Sequence, residues 1–152
     1  MTAQTRQTSL PPALHPQLAK DTVAVVENAA YWLRLHKNAL VPWLIIVPKT
    51  HARELIDCSP ALKSTIYQLI ETVGHYTNAL PQIEKLNIAS LGNVVPQLHI
   101  HVIGRHKGDF AWPEPVWGKS AFQAYSATQR NQLINTLQAT IIENYRNSAN
   151  NE

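Results

Sequence analysis

QLHIHVIGR, residues 97–105, sets two imidazoles two residues apart inside an otherwise apolar run. Side chains two apart on a strand share a face and sit about 6.6 Å apart along it. Gln97, His99, His101 and Ile103 therefore share one face, and Leu98, Ile100 and Val102 the other. The even-numbered face belongs against a core. The odd-numbered face admits three readings: a strand side turned to solvent, a two-histidine ligand pair for a transition metal, or a nucleophilic imidazole flanked by polar helpers.

The chain around this strand is patterned for a sheet with helices. TVAVVE (22–27) is rich in β-branched residues and reads as a strand. YWLRLH (31–36) alternates, and Asn28-Ala29 between the two runs marks a tight hairpin. Pro42 and Pro48 bracket WLIIV (43–47), whose unbroken apolarity implies a strand buried on both faces. Ser59 as N-cap and Pro60 at the first helical position open a helix, its apolar stripe running from Leu62 to Leu80 before Pro81.

LNIASL (86–91) reads as a fourth strand and Gly92-Asn93 as a turn. Leu98, Ile100 and Val102 belong to a fifth strand, and the Pro-, Gly- and Trp-rich segment from Gly104 to Gly118 to a loop. Ser126 and Gln129 have capping-box spacing ahead of a closing helix lined by Leu133, Leu137, Ile141 and Tyr145. The order β-β-β-α-β-β-α, with short connections, predicts an α+β fold: a five-stranded, largely antiparallel sheet with covering helices.

At 152 residues the chain fits one domain. We place a flexible N-terminus at 1–14, the domain at 15–147 and a flexible tail at 148–152. Hydrophobic residues at 45% and charged residues at 15% exclude a disordered chain. The net charge of +3 suits an anionic small molecule and is too slight to point to nucleic acid. Cys58 is the only cysteine, which favours a reducing compartment. MTAQTRQTSL lacks the apolar centre of a signal peptide, and WLIIV is too short to cross a bilayer, so no membrane partner and a cytoplasmic location are expected.

Chemistry separates the readings of the histidine strand. A metal needs more than two ligands, and no nearby Cys or carboxylate obviously completes the pair, His106, Asp109 and His51 being only remote candidates. An imidazole aimed at phosphorus forms a phosphoramidate that water later hydrolyses, provided one tautomer is held and neighbouring donors share the phosphate charge. Gln97 and His101 are of the right type for that.

QLHIHV (97–102) resembles the His-φ-His-φ-His-φ-φ signature of the histidine-triad (HIT) superfamily, φ being apolar. LIIVPKTH (44–51) is similar to the family's strand ending in Pro-Lys-x-His. RHKGDF (105–110) is similar to the basic stretch after the triad in the diadenosine polyphosphate hydrolase branch. The resemblance covers roughly residues 15–117. It implies a hydrolase or nucleotidyl transferase acting at the α-phosphate of a nucleotide, with dinucleoside polyphosphates or nucleoside phosphoramidates as substrates. It makes His99 the nucleophile and His101 a phosphate or proton-transfer partner. It also implies a homodimer that needs no metal for bond cleavage, a divalent ion at most accompanying the substrate phosphates.

The sequence departs from the pattern at Gln97, where the first histidine of the triad stands, and at Pro42-Trp43, where many members carry Gly-His. Gln97 can donate or accept a hydrogen bond but carries no proton charge. Asn93, Arg105 and Lys107 are candidate phosphate contacts, set against turn and solvated-loop roles. The tryptophans of AWPEPVWG (111–118) read as packing on the sheet, with base stacking as the alternative. Lys49 and His51 read as strand-end structure, and His15, His36 and His75 as surface residues. A nucleotide-binding module with little catalysis and a His-x-His metal protein remain the rival functions.

Overall fold

The computed structural model describes residues 10–150. Five antiparallel strands form one sheet in the order β1-β2-β3-β5-β4: β1 (Thr22–Glu27), β2 (Tyr31–His36), β3 (Trp43–Pro48), β4 (Lys85–Ala89) and β5 (Ile100–Arg105). Helices α1 (Pro16–Asp21), α2 (Pro60–Asn78) and α3 (Ala127–Ala149) complete it, with one 3-10 turn at Leu55–Asp57. The fold is α+β, as expected from the strand and helix order.

Alternation decides what each face covers. Tyr31, Leu33 and Leu35 of β2, Leu44 and Ile46 of β3, and Ile100 and Val102 of β5 form the main core with α2 and α3. Ser59 caps α2 by accepting from the Leu62 amide, with Pro60 behind it. Ser126 and Gln129 make the reciprocal capping box of α3. Gly104 leaves no room for a side chain: a Cβ there would lie 2.8 Å from Ile83 Cδ1, in the segment after α2, and 3.1 Å from Thr77 Cγ2 of α2. Gly92, at φ +69°, takes the left-handed conformation that the turn after β4 needs.

The opposite face is not left to solvent. Trp32, Trp43, Ile45, Val47 and Ile103 form a second core, covered by Leu18 of α1 and by Ala111 and Val116 of the long loop after β5. Of the expected flexible N-terminus, residues 10–14 are described and make contacts with the domain. Leu14 packs on that core, Ala13 and His15 bond Gln97 through their main chains, and Leu10 O is 2.9 Å from His51 Nε2. The expected flexibility of residues 1–9 and 151–152 lies outside the described residues, whereas Ser148 and Ala149 continue α3.

Two further elements differ from the reading above. Helix α1 shows no period in the sequence because six residues are too few, although His15 caps it and Pro16 opens it. Strand β5 runs on to Arg105, paired with Lys85, where a loop was expected from Gly104. Arg105, at that end of the strand, is buried.

Candidate active site

His99 enters β5 and His101 lies within it; each is 6% exposed. Their rings meet edge to face, with centroids 4.9 Å apart. His99 Nδ1 is 2.7 Å from the main-chain oxygen of Gln97. A carbonyl only accepts, so Nδ1 carries the proton and Nε2 keeps a free lone pair. For His101 the logic reverses. Trp43 Nε1 donates to His101 Nδ1 at 2.9 Å. An indole N–H only donates, so the neutral ring holds its proton on Nε2. Adjacent imidazoles are thus set in opposite tautomers, one presenting a nucleophilic nitrogen and the other a donor.

Register explains how Trp43 reaches this position. It pairs with Ile103, two residues beyond His101 on the same face, so the indole lies diagonally across the strand boundary from the imidazole. His36, at the end of β2, stacks on the far side of Trp43 with centroids 4.1 Å apart. Trp117 meets both His101, at 5.2 Å, and Trp43, at 6.3 Å, edge-on. In this apolar enclosure burial, reinforced by His99 and His36, pushes the His101 pKa down to about 3. Burial also lowers that of His36, against the pull of Asp21. The indole N–H of Trp117 is buried without a hydrogen-bond partner among the described residues.

The model of the HIT domain matches residues 17–108, well over half of the chain. The protein belongs to the HIT domain family. A histidine triad protein from Bradyrhizobium japonicum is similar in structure at TM-score 0.81 and 37% identity, over 87% of this chain and 99% of its own. One from Marinobacter aquaeolei VT8 is similar at TM-score 0.80 and 33% identity, over 88% and 98%. One from Sinorhizobium meliloti 1021 is similar at TM-score 0.79 and 29% identity, over 84% and 96%. No curated protein matches the chain. Proteins with a HIT domain are commonly nucleotide hydrolases or transferases.

Of the six residues singled out from this HIT sequence, the structure brings His99 and His101 together and gives the Gln97 and Arg105 side chains other partners. The Gln97 carboxamide turns away to the N-terminal segment, where Oε1 accepts from the His15 amide at 2.8 Å and Nε2 donates to Ala13 O at 3.0 Å. What Gln97 supplies to His99 is its carbonyl. Arg105 is corrected outright: it is 2% exposed, and Asp109, Asn87 and Glu114 O take its donors. Trp112 lies against the guanidinium, 5.7 Å from it. With four N–H bonds satisfied inside the protein, Arg105 holds the loop after β5 and is out of a phosphate's reach.

Asn93 and Lys107 are exposed on loops, and the Lys107 amide donates to Glu84 at 3.1 Å. His15 caps α1 and His75 is exposed, but His36 is not the surface residue expected. Its alternation with Trp32 and Arg34 placed it on the same sheet face as Trp43; the missing step was the register across β2 and β3. The described residues contain no group of three His, Cys, Asp or Glu able to hold a metal. No helix among them is long and apolar enough to cross a membrane. Cavities of about 490 and 450 Å³ lie on the helical side, one between α2 and α3 and one between α2 and β4, and His99 lines neither.

Proposed function

We propose that the protein cleaves nucleotides at the α-phosphate, as hydrolase or nucleotidyl transferase, through a covalent nucleotidyl-His99 intermediate. The observation that carries this reading is the fixed tautomer of His99. The Gln97 carbonyl holds the proton of the neutral ring on Nδ1, which leaves the lone pair on Nε2 and stabilises the positive charge that the ring takes up when Nε2 bonds phosphorus. Nε2–H of His101, on the same face, is the donor beside it for a phosphate oxygen.

Dinucleoside polyphosphates and nucleoside phosphoramidates are the substrate classes, with the diadenosine polyphosphate hydrolase branch as the model. A divalent ion, where one is present, accompanies the substrate phosphates. Exposed Asn93 and Lys107 are the side chains free to meet those phosphates. We place the protein in the cytoplasm as a homodimer, its open β4 edge and the exposed Ile88, Leu91 and Val94 beside it facing the second copy.

Turnover of both substrate classes by wild type and His99→Ala tests the reading. Loss of turnover by at least about 1,000-fold is expected; equal rates refute the mechanism. A binding module with little catalysis is the second reading, favoured by the near burial of His99 and by the Gln97 side chain serving the fold. Nucleotide binding by calorimetry with no turnover of either class would establish it instead.

A further inference from the structure

We propose that Trp43 determines the specificity of this site: by donating its indole N–H to His101 it leaves the reaction without an acid, and so confines His99 to substrates whose leaving group departs as a stable anion. This rests on the nucleotidyl-His99 reading and narrows it, favouring phosphoanhydrides over phosphoramidates.

Few protons are available around His101. Among the described residues, His99 on its own strand, Trp43 and Ile45 on β3, Ala89 on β4 and Trp117 on the loop face His101, and His36 of β2 lies beyond Trp43. Only the two histidines among these titrate. The first triad position, a titratable histidine in the family pattern, is Gln97, whose carboxamide is committed to the N-terminal segment. His101 has no lone pair left to take up a second proton, because Nδ1 already accepts from Trp43. Burial disfavours its charged form further. A neutral imidazole with Nε2–H is a hydrogen-bond donor but a very weak acid.

The consequence follows from the bond that breaks. When His99 Nε2 forms its bond to the α-phosphorus, the P–O bond of an anhydride breaks and its electron pair leaves on the oxygen of the departing phosphate. That oxygen is stable as an anion, and Nε2–H of His101 needs only to donate to a phosphate oxygen without giving up its proton. Water then attacks phosphorus, the N–P electron pair returns to Nε2, and the proton of water passes to solvent. A phosphoramidate differs in its first step. Its P–N bond leaves an amine, which must gain a proton before it departs, and neither ring has one to spare. General acid catalysis contributes about 100- to 10,000-fold, so amine departure should fall behind by at least about 100-fold.

Two measurements on the full chain test this. Long-range ¹H–¹⁵N correlation spectra read the tautomers directly: His101 with Nε2–H and His99 with Nδ1–H, His101 staying neutral well below the pH at which free histidine protonates. A protonated or Nδ1–H His101 at pH 6 overturns the inference whatever the activity. The second compares kcat/KM for diadenosine triphosphate and an adenosine alkylphosphoramidate in wild type and in Trp43→His, which puts a titratable ring against His101. Wild type should prefer the anhydride by at least about 100-fold, and Trp43→His should narrow that gap through kcat, with an acid limb appearing in its pH profile. Equal use of the two substrates by wild type overturns this inference and leaves the nucleotidyl reading standing. Absence of turnover of both, with no adduct on His99, overturns the two together.

Discussion

Replacing Asp109 with asparagine removes one charge from a pair whose side chains are buried, that of Arg105 being 2% exposed and that of Asp109 0%. The carboxylate accepts two hydrogen bonds from Arg105, at 2.7 and 3.0 Å, and further bonds from the amides of His106, Ala111 and Trp112. Burial alone would raise its pKa; the Arg105 bonds and the Ala111 and His106 amides overcome burial and hold it at about 2, below the ordinary 3.8. That gap corresponds to about 2–3 kcal/mol. Removing one partner of a buried pair costs about 3–5 kcal/mol, because the other charge is left unpaired. For a domain of this size the larger range lowers Tm by about 6–20 °C.

The sign with pH follows. The folded pKa is depressed, so the contribution is full above about 3.8 and is lost as pH falls through about 2. Urea unfolding of wild type and Asp109→Asn at neutral pH should show the full difference, and it should shrink toward the bottom of that window. A change under about 1 kcal/mol, together with weakened nucleotide binding, would refute the burial argument and return Arg105 to the phosphates.

Other perturbations read other parts of the account. His101→Gln should flatten the acid side of the stability curve: the unfolded histidine protonates near 6.5 while the folded one resists to about 3, so stability is full above about 6.5 and falls by about 1.4 kcal/mol per pH unit below it. A parallel curve for the variant argues against a buried neutral ring. Gly104→Ala forces a methyl against Ile83 and the fully buried Thr77, and a loss of about 1–3 kcal/mol is expected by urea titration. No loss would mean that Ile83 and Thr77 do not press on β5 there. Gln97→Ala should speed hydrogen exchange at the His15 amide, which the carboxamide oxygen holds at 2.8 Å; unchanged protection removes its role as a clamp.

What the sequence showed and what it hid divide along one line. Alternation and capping are local, and they placed β1, β2, β3, α2 and the start of α3 within a residue or two. The histidine pair was legible for the same reason, since a two-residue period sets both rings on one face. Partners brought from far along the chain were not. The odd face of β5 looked polar, but α1 and the loop carrying Trp117 fold over it. Arg105 reads as a loop cation for a phosphate, or a solvated one, until Asp109, Asn87 and Glu114 converge on it. Trp43 looked like the loss of a helpful histidine. It is instead the group that sets the tautomer of His101, and only strand register reveals that.

The central claim is that Nε2 of His99 bonds phosphorus. Rapid acid quench of the protein with diadenosine triphosphate, followed by mass spectrometry of its peptides, tests it most directly. A nucleotidyl mass on the peptide carrying His99, absent from His99→Ala, is the expected result. Steady turnover with no adduct there, or with an adduct on another residue, would contradict it.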